Sequence, residues 1–402
     1  MNQLDLFTAV RDVYSEANDA ISNAEVYRRL IKKLSLPSDI LKSKKTIGST
    51  SFNEFTRKVR WFQQTLKHAG VLERIKGDRG AWCITNRKDT ELDKIQPLLS
   101  LIGFSTKLGV AIIGYSESVF AKLNEPIHLI LTSPPYPLAK ARKYGNVNES
   151  EYVDWICKTM EPVVKNLVDG GVVTLNISND IFMYKSAARS LYRERLIIAL
   201  HDRLGLYKMD EIPWINLSKP PGPIEYASKR RVQLNTGWEP IYYFSTNPDK
   251  VITDNRRVLE PHSEKHLKLI LSGGEKKASI NSDGAYCIKE GSFGKLTEGR
   301  IPKNVIYAGT SCAENRKYKR DAEALGYQSH GAMMPGKVPE FLIKLFTKEN
   351  DLVVDPFGGS IRTGHSAETL KRRWICVDPV IDYVMGGATR FVNCEGFKRI
   401  AV

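Results

Sequence analysis

The sequence predicts an α/β chain: a doubly wound, mostly parallel sheet with helices on both faces, preceded by a small helical module of winged-helix outline. Three observations predict it. From Val110 onward, short β-rich runs alternate with helical stretches: HLILT, VVTLNIS, EIPWINL, IYYFS, LVVD and WICVD. Two of these runs stop abruptly at loops rich in proline or glycine, the place where open α/β sheets bind ligands. Residues 1–95 lack the alternation and carry helical periodicity instead.

Composition sets the outer limits. A chain of 402 residues with 42% hydrophobic content can bury one large core and one small one. That apolar content excludes a disordered chain. No apolar run approaches the ~20 residues of a membrane helix, and from the start MNQLDLFTAVRDVYSEAND, with early acids and no long apolar region, no secretory signal is expected. A cytoplasmic protein without a membrane partner is expected. The six cysteines form no CxxC pair and no His-rich ligand pattern, so neither disulfides nor a metal are expected. A net charge of +15 favours polyanionic partners without proving one.

In the N-terminal module, helices are predicted over Leu4 to Glu16, Asn23 to Leu34, and Phe52 to Ala69. The second carries Ala24, Val26, Leu30, Ile31 and Leu34 at helical spacing, and Ser22 with Glu25 has the form of a capping box. VLERI and AWCIT flank KGDRG, a hairpin pattern. Helices followed by a basic hairpin resemble the winged-helix modules at the N-terminus of some restriction proteins. That resemblance implies DNA contact by Arg57, Lys58, Arg60, Lys76 and Arg79; a docking or dimerisation module with a solvated basic face fits the pattern equally. Residues 96–109 read as a linker, and 110–402 as the α/β domain.

The strand HLILT runs directly into Ser133, Pro134, Pro135 and Tyr136. Two prolines fix φ and lack amide hydrogens, so their loop is rigid and its carbonyls point outward. An exocyclic base amine is planar and weakly nucleophilic, because its lone pair is delocalised into the ring. Acceptors on its two hydrogens, here the Ser133 hydroxyl and a proline carbonyl, favour the tetrahedral nitrogen that can attack a methyl group. The Tyr136 ring offers a surface for a base rotated out of the duplex. Direct displacement then needs no enzyme nucleophile, and orientation supplies much of the rate.

The second loop lies in LVVDPFGGSIRTGHSAETLKRRWICVD. Gly358 and Gly359 let the backbone approach a ligand. Asp355 suits an ammonium, Phe357 can line a pocket, and Ser360 and Thr363 offer hydroxyls near a helix N-terminus, where a carboxylate is favoured. Asp378, ending the next strand, suits two ribose hydroxyls. The loop is neither GxGxxG nor GxxxxGK[ST], which argues against a dinucleotide or nucleotide triphosphate.

Together the motifs resemble those of the DNA amino-methyltransferases. S-P-P-Y after a strand matches their [DNS]-P-P-[YF] motif, with Ser more typical of cytosine-N4 enzymes. DPFGGSIRTG resembles their D-P-F-x-G-S-G-T-T-G loop for S-adenosyl-L-methionine. Ile361 and Arg362 depart from it, standing where Gly or Asn and Thr are usual; Arg362 either pairs with the cofactor carboxylate or faces solvent. The catalytic motif precedes the cofactor loop, as in the permuted beta group of restriction–modification systems. That order implies a target-recognition region between them, and the basic, irregular stretch at about 250–328 fits the slot.

The resemblance further implies that Pro335 and Lys337 cover the cofactor, although HGAMMPGKVPEFLIKLFT also reads as a turn and core helix. Trp214 and Asn216 are candidates for the far wall of the base pocket, with Trp214 equally a core residue. Lys229, Arg230 and Arg231, and Lys140, Arg142 and Lys143, are candidates for phosphate contacts or a solvated face. Asn176 and Ser178 end a strand beside the site. The family's Gly-Asp is replaced by Gly114-Tyr115, with Glu117 nearby. Expected partners are double-stranded DNA and a cognate restriction endonuclease acting on the same site. The expected activity is methylation of cytosine N4; adenine N6 is the alternative, and a non-catalytic DNA-binding protein of the same fold a third reading.

Overall fold

The computed structural model describes residues 6, 9–10, 12–14, 16–17, 19–47, 50–68, 72–75, 80–84, 94–138, 147–281 and 283–399. Lys76, Arg79, Lys140, Arg142 and Lys143, and Leu4, Asp5, Phe7, Thr8, Arg11 and Ser15 of the first expected helix, lie outside them. The N-terminal module runs β1 (Ile21–Ser22), α1 (Asn23–Lys33), β2 (Lys45–Ile47), β3 (Thr50–Phe52), α2 (Glu54–His68), β4 (Leu72–Arg74) and β5 (Ala81–Ile84). The Ser22 hydroxyl caps α1 by accepting from the Glu25 amide. β4 and β5 pair antiparallel, and β1 adds to β5. The helices bury Val26, Leu30, Phe55, Val59 and Phe62 in a core of their own. Arg57 and Arg60 are exposed. Arg57 rests over the Phe52 ring, Arg60 donates to the Tyr27 hydroxyl, and Lys58 pairs with Glu54.

The main domain runs β6 (Leu101–Ser105), β7 (Gly109–Ile113), α3 (Ser116–Phe120), β8 (Ile127–Thr132), α4 (Glu149–Val164), β9 (Leu167–Asn176), α5 (Tyr192–Leu204), β10 (Tyr207–Ile215) and β11 (Trp238–Ser245). It continues through α6 (Glu264–Leu271), β12 (Ser279–Asn281), β13 (Tyr286–Ile288), β14 (Ile306–Tyr307), α7 (Ala313–Ala324), α8 (Lys337–Phe346), β15 (Leu352–Asp355), α9 (Arg362–Thr369), β16 (Arg373–Asp378), α10 (Ile381–Gly387) and β17 (Lys398–Arg399). Among the described residues, one sheet orders its strands β14-β10-β11-β9-β8-β15-β16-β7-β6-β17. Its centre, β9-β8-β15-β16-β7, is parallel; β11 joins that centre antiparallel to β9, and β6 antiparallel to β7.

The central strands are near-continuous apolar runs because both faces are covered. Leu129 and Val353 point into one core with Val338, Leu342 and Phe346 of α8, while Ile130 and Val354 point into the other with Tyr152, Ile156 and Met160 of α4. Each fully buried aliphatic side chain contributes about 1.5–3 kcal/mol. The four-residue spacing of Tyr152, Ile156 and Met160 puts all three on the inner face of α4. α5 stops where Gly205 takes a left-handed φ of 66°. Among the described residues, no helix is long and apolar enough to cross a membrane.

Two expectations need correction. The supposed linker 96–109 contains β6, paired in register with β7 and burying Phe104 against Trp374 and Phe391. Its burial does not alternate, because Gly103 and Phe104 are both buried at a register shift between Ile102 and Phe104. The irregular stretch at about 250–328 holds α6, the β12–β13 hairpin and α7, and α7 packs on α10 beside the glycine loop.

Candidate active site

The adjacent parallel strands β8 and β15 deliver the proline and glycine loops to the same edge of the sheet. Ile130 pairs with Val354, which sets the end of β8 beside the end of β15. The two loops are joined by one bond: the Thr132 hydroxyl donates to the Asp355 carboxylate at 2.7 Å. They share a cleft of about 550 Å³, a volume ordinary for a small-molecule site. Ser133, Pro134, Pro135 and Tyr136 form one part of its wall, and Asp355, Phe357, Gly358, Gly359, Ser360, Thr363 and Asp378 another.

Asp355 is buried and accepts from Thr132, from the Thr363 hydroxyl at 2.6 Å and from the Phe357 amide at 3.0 Å. Burial raises its carboxyl above the usual range, against the pull of those donors. Asp378 accepts from the Gly359 and Val380 amides, both at 2.9 Å. Burial lifts its carboxyl to about 6, opposed by those amides and helped by the charge of Asp355. Gly359 has φ 47°, and a Cβ there would stand 3.3 Å from the His330 ring. Phe357 packs on Trp155 with ring centroids 5.3 Å apart. In the region where the family's Gly-Asp is missing, Tyr115 and Glu117 line the cleft, and Glu117 accepts from Thr159.

Ile361 sits at the N-terminus of α9 with φ 54°, a left-handed conformation rare for a β-branched residue. The cost, roughly 1–2 kcal/mol, is offset by its complete burial, worth about 1.5–3 kcal/mol. Bare backbone at Gly358, Gly364 and Gly387 makes room for it. Arg362 is buried, so it does not face solvent, and it lines the cleft. It donates to Glu314 at 2.6 Å and to Asn315 at 2.8 Å, both on α7. Arg390, which nothing in the sequence singles out, donates to the Ser360 carbonyl and lies over the Tyr318 ring. Burial and the charge of Arg362 depress it to about 9.

The proline loop is braced from β9 and β11. Ser133 Oγ and Tyr136 Oη are 3.1 Å apart, and both lie within hydrogen-bond distance of Asn176 Oδ1. Asn176 is fixed in turn by donating to the Pro240 carbonyl. Tyr136 also reaches Glu239 at 3.3 Å, and Glu239 pairs with Lys219. Burial first, then Glu239, raises the Tyr136 phenol well above its ordinary value, so it stays neutral.

Trp214 is both core and rim: it lines the cleft while its indole nitrogen donates to the Ala308 carbonyl. Asn216 and Ser178 also line the cleft. Lys229, Arg230 and Arg231 are exposed beyond it, Lys229 paired with Glu225 and Arg230 over Tyr226. Pro335 and Lys337 stand outside the lining, where Met333 and Met334 sit instead; Lys337 donates to the Tyr307 carbonyl at the start of α8. Sequence reasoning missed Glu239, Lys219 and Asp180, which also line the cleft.

Comparisons with known proteins bear on the family and the fold. Residues 127–386 match the family described as DNA methylase, and residues 5–93 match the Mrr N-terminal domain. The chain is 33% identical over 293 residues to the type II methyltransferase M.PvuII of Proteus hauseri, covering 72% of this chain and 85% of that protein. It is 24% identical over 279 residues to the type II methyltransferase M.BamHI of Bacillus amyloliquefaciens, covering 68% of this chain and 55% of that one. Among solved structures it resembles the PvuII DNA methyltransferase (cytosine-N4-specific), with a TM-score of 0.57, 30% identity, and coverage of 72% and 88%.

Proposed function

The chain belongs to the DNA methylase family, and from that premise we propose that it methylates N4 of cytosine in double-stranded DNA within a cytoplasmic restriction–modification system, beside an endonuclease of the same specificity. The observation that carries the reading is the Thr132–Asp355 bond, which sets a Ser-Pro-Pro-Tyr corner against the glycine loop. S-adenosyl-L-methionine supplies an electrophilic methyl group when bound. The residues present fit it. Two buried carboxylates keep acceptor capacity for an ammonium and a ribose. Gly359 offers a cradle that a side chain would narrow, and Phe357 an apolar wall.

Ser133 and a proline carbonyl take the two amine hydrogens, and the Tyr136 ring stacks on the extruded base. Trp214 and Asn216 close the far wall. Phosphates meet Lys229, Arg230 and Arg231, together with Lys140, Arg142 and Lys143. The segment 250–328 reads the target sequence, and residues 1–95 add affinity for flanking duplex. Similarity to proteins named type II methyltransferases and to a structure named cytosine-N4-specific supports the choice of reaction. The test is to incubate duplex DNA with protein and cofactor and identify the modified nucleoside by mass spectrometry. N4-methyldeoxycytidine is expected; N6-methyldeoxyadenosine, or no modified nucleoside, overturns the reading.

Asp378 gives a pH signature. Its folded value of about 6 lies above the ordinary 3.8. Its contribution to the stability of the free protein is therefore complete below about 4 and lost as pH rises through about 6. Ribose binding has the opposite sign, because the ionised carboxylate is the better acceptor. Cofactor affinity should weaken by up to about tenfold per pH unit below 6, and Asp378→Asn should flatten that dependence. Calorimetry between pH 5 and 8 checks both.

Deletion of residues 1–95 should weaken duplex binding and make the slope of log affinity against log salt shallower by roughly two to three, about 0.9 for each phosphate that the module neutralises. An unchanged slope would assign the module to docking.

A further inference from the structure

Methylating an amine leaves a proton to be removed, and the cleft wall holds a route for it. Ser133, Tyr136 and Glu239 form a hydrogen-bonded line: Ser133 Oγ to Tyr136 Oη at 3.1 Å, then Tyr136 Oη to Glu239 Oε2 at 3.3 Å. We propose that Glu239, on β11, is the terminal proton acceptor of the reaction, reached through the hydroxyls of Tyr136 and Ser133. This inference rests on the methyl-transfer reading given above.

The direction of the line follows from its chemistry. A carboxylate only accepts, so Tyr136 donates to Glu239. Tyr136 Oη is then free to accept from Ser133, which leaves a Ser133 lone pair for an amine hydrogen in the cleft. When the nitrogen–methyl bond forms and the sulfur–methyl bond breaks, the nitrogen becomes cationic. Its proton moves to Ser133 Oγ as the serine proton moves to Tyr136 and the tyrosine proton to Glu239. Both hydroxyls end neutral, and the single proton rests on the carboxylate until solvent takes it. A neutral relay suits Tyr136, whose phenol is held far from ionisation by burial.

The groups facing Glu239 are few. Lys219 Nζ lies 3.3 Å from its other oxygen and also pairs with Asp180 at 3.1 Å. Arg189 pairs with Asp180. Tyr192 is near enough to sense its charge. Glu239 and Lys219 retain only 15% and 17% side-chain exposure, so the pair is largely withdrawn from water. Asn176 Oδ1 is the competing end-point, because it too can accept from both hydroxyls. It is an amide oxygen, however, and too weakly basic to keep a proton.

The experiment compares wild type, Glu239→Gln, Glu239→Asp, Tyr136→Phe and the double variant E239Q/Y136F. It uses the full chain, saturating S-adenosyl-L-methionine and duplex DNA carrying the target site. Single-turnover methyl transfer should fall by about 10²-fold in E239Q and recover in part in E239D. Y136F should lose about as much, and the double variant little more than either, because one route is being cut twice. The rate of wild type should fall toward low pH, and that limb should flatten in E239Q. Cofactor affinity, duplex affinity and base extrusion, followed by 2-aminopurine fluorescence, should stay within about threefold. A wild-type-like rate and pH profile in E239Q overturns the inference, as do multiplicative losses in the double variant. If E239Q does not fold, Y136F carries the test, since it keeps the ring and breaks the line; an unchanged rate and pH limb there overturns the inference too. Absence of transfer in wild type would instead sink the methyltransferase reading.

Discussion

Asp355→Ala is expected to abolish measurable cofactor binding and to lower methyl transfer at least about 10³-fold. The carboxylate gathers three donors from two loops: Thr132, Thr363 and the Phe357 amide. Removing it strands all three in a site where Asp355 itself is only 5% exposed. Each buried donor left without a partner costs about 1–3 kcal/mol. The cofactor ammonium would also lose a charge-assisted bond of roughly 1.5–3 kcal/mol. The donor cost falls on the loop itself, with or without cofactor, so the lost bond accounts for about 10- to 10²-fold and the loosened loop for the rest. Calorimetry with S-adenosylhomocysteine and single-turnover assays measure the two losses. Asp355→Asn keeps the shape and one acceptor, so it separates lost charge from a collapsed loop. Affinity within fivefold of wild type in both variants would mean that the cofactor does not sit on Asp355.

Ser133→Ala carries the second large effect, with the opposite split. Methyl transfer should fall about 10²–10⁴-fold, while cofactor affinity and melting temperature change little. The hydroxyl is partly exposed to the cleft, and its partners Tyr136 and Asn176 also bond to each other and, through Tyr136, to Glu239. Its removal therefore leaves no buried group stranded. What disappears is the acceptor that draws the amine nitrogen out of its planar state. A loss divided equally between cofactor binding and turnover would instead point to a collapsed proline loop.

The parts of fold and site that are legible in the sequence are those encoded locally. HLILT and LVVD are apolar runs that end in loops of restricted backbone, so strand, stop and chemistry lie within ten residues of one another. What escapes is held by partners distant in sequence. Glu239 reaches Tyr136 only because β11 adds beside β9 in one register, Ile241 opposite Asn176; nothing around Glu239 announces that. Arg362 reads in the sequence as free to face solvent, but it is buried on partners on α7, 47 and 48 residues away. Lys337, itself expected to cover the cofactor, donates to the Tyr307 carbonyl, 30 residues away. The strand β6 reads as a linker because its five residues, LIGFS, bury Gly103 and Phe104 side by side and carry no period of two.

The anchoring of Arg362 on α7 has a bearing on re-engineering. Anyone exchanging the middle segment between relatives to transplant sequence preference would be tempted to cut near residue 328. Such a graft would replace Glu314 and Asn315 and leave the buried guanidinium without two of its acceptors, a loss of about 1–3 kcal/mol. A junction placed before Cys312 keeps the host's own helix, so the donor cassette can change while the methyl-donor pocket retains its support.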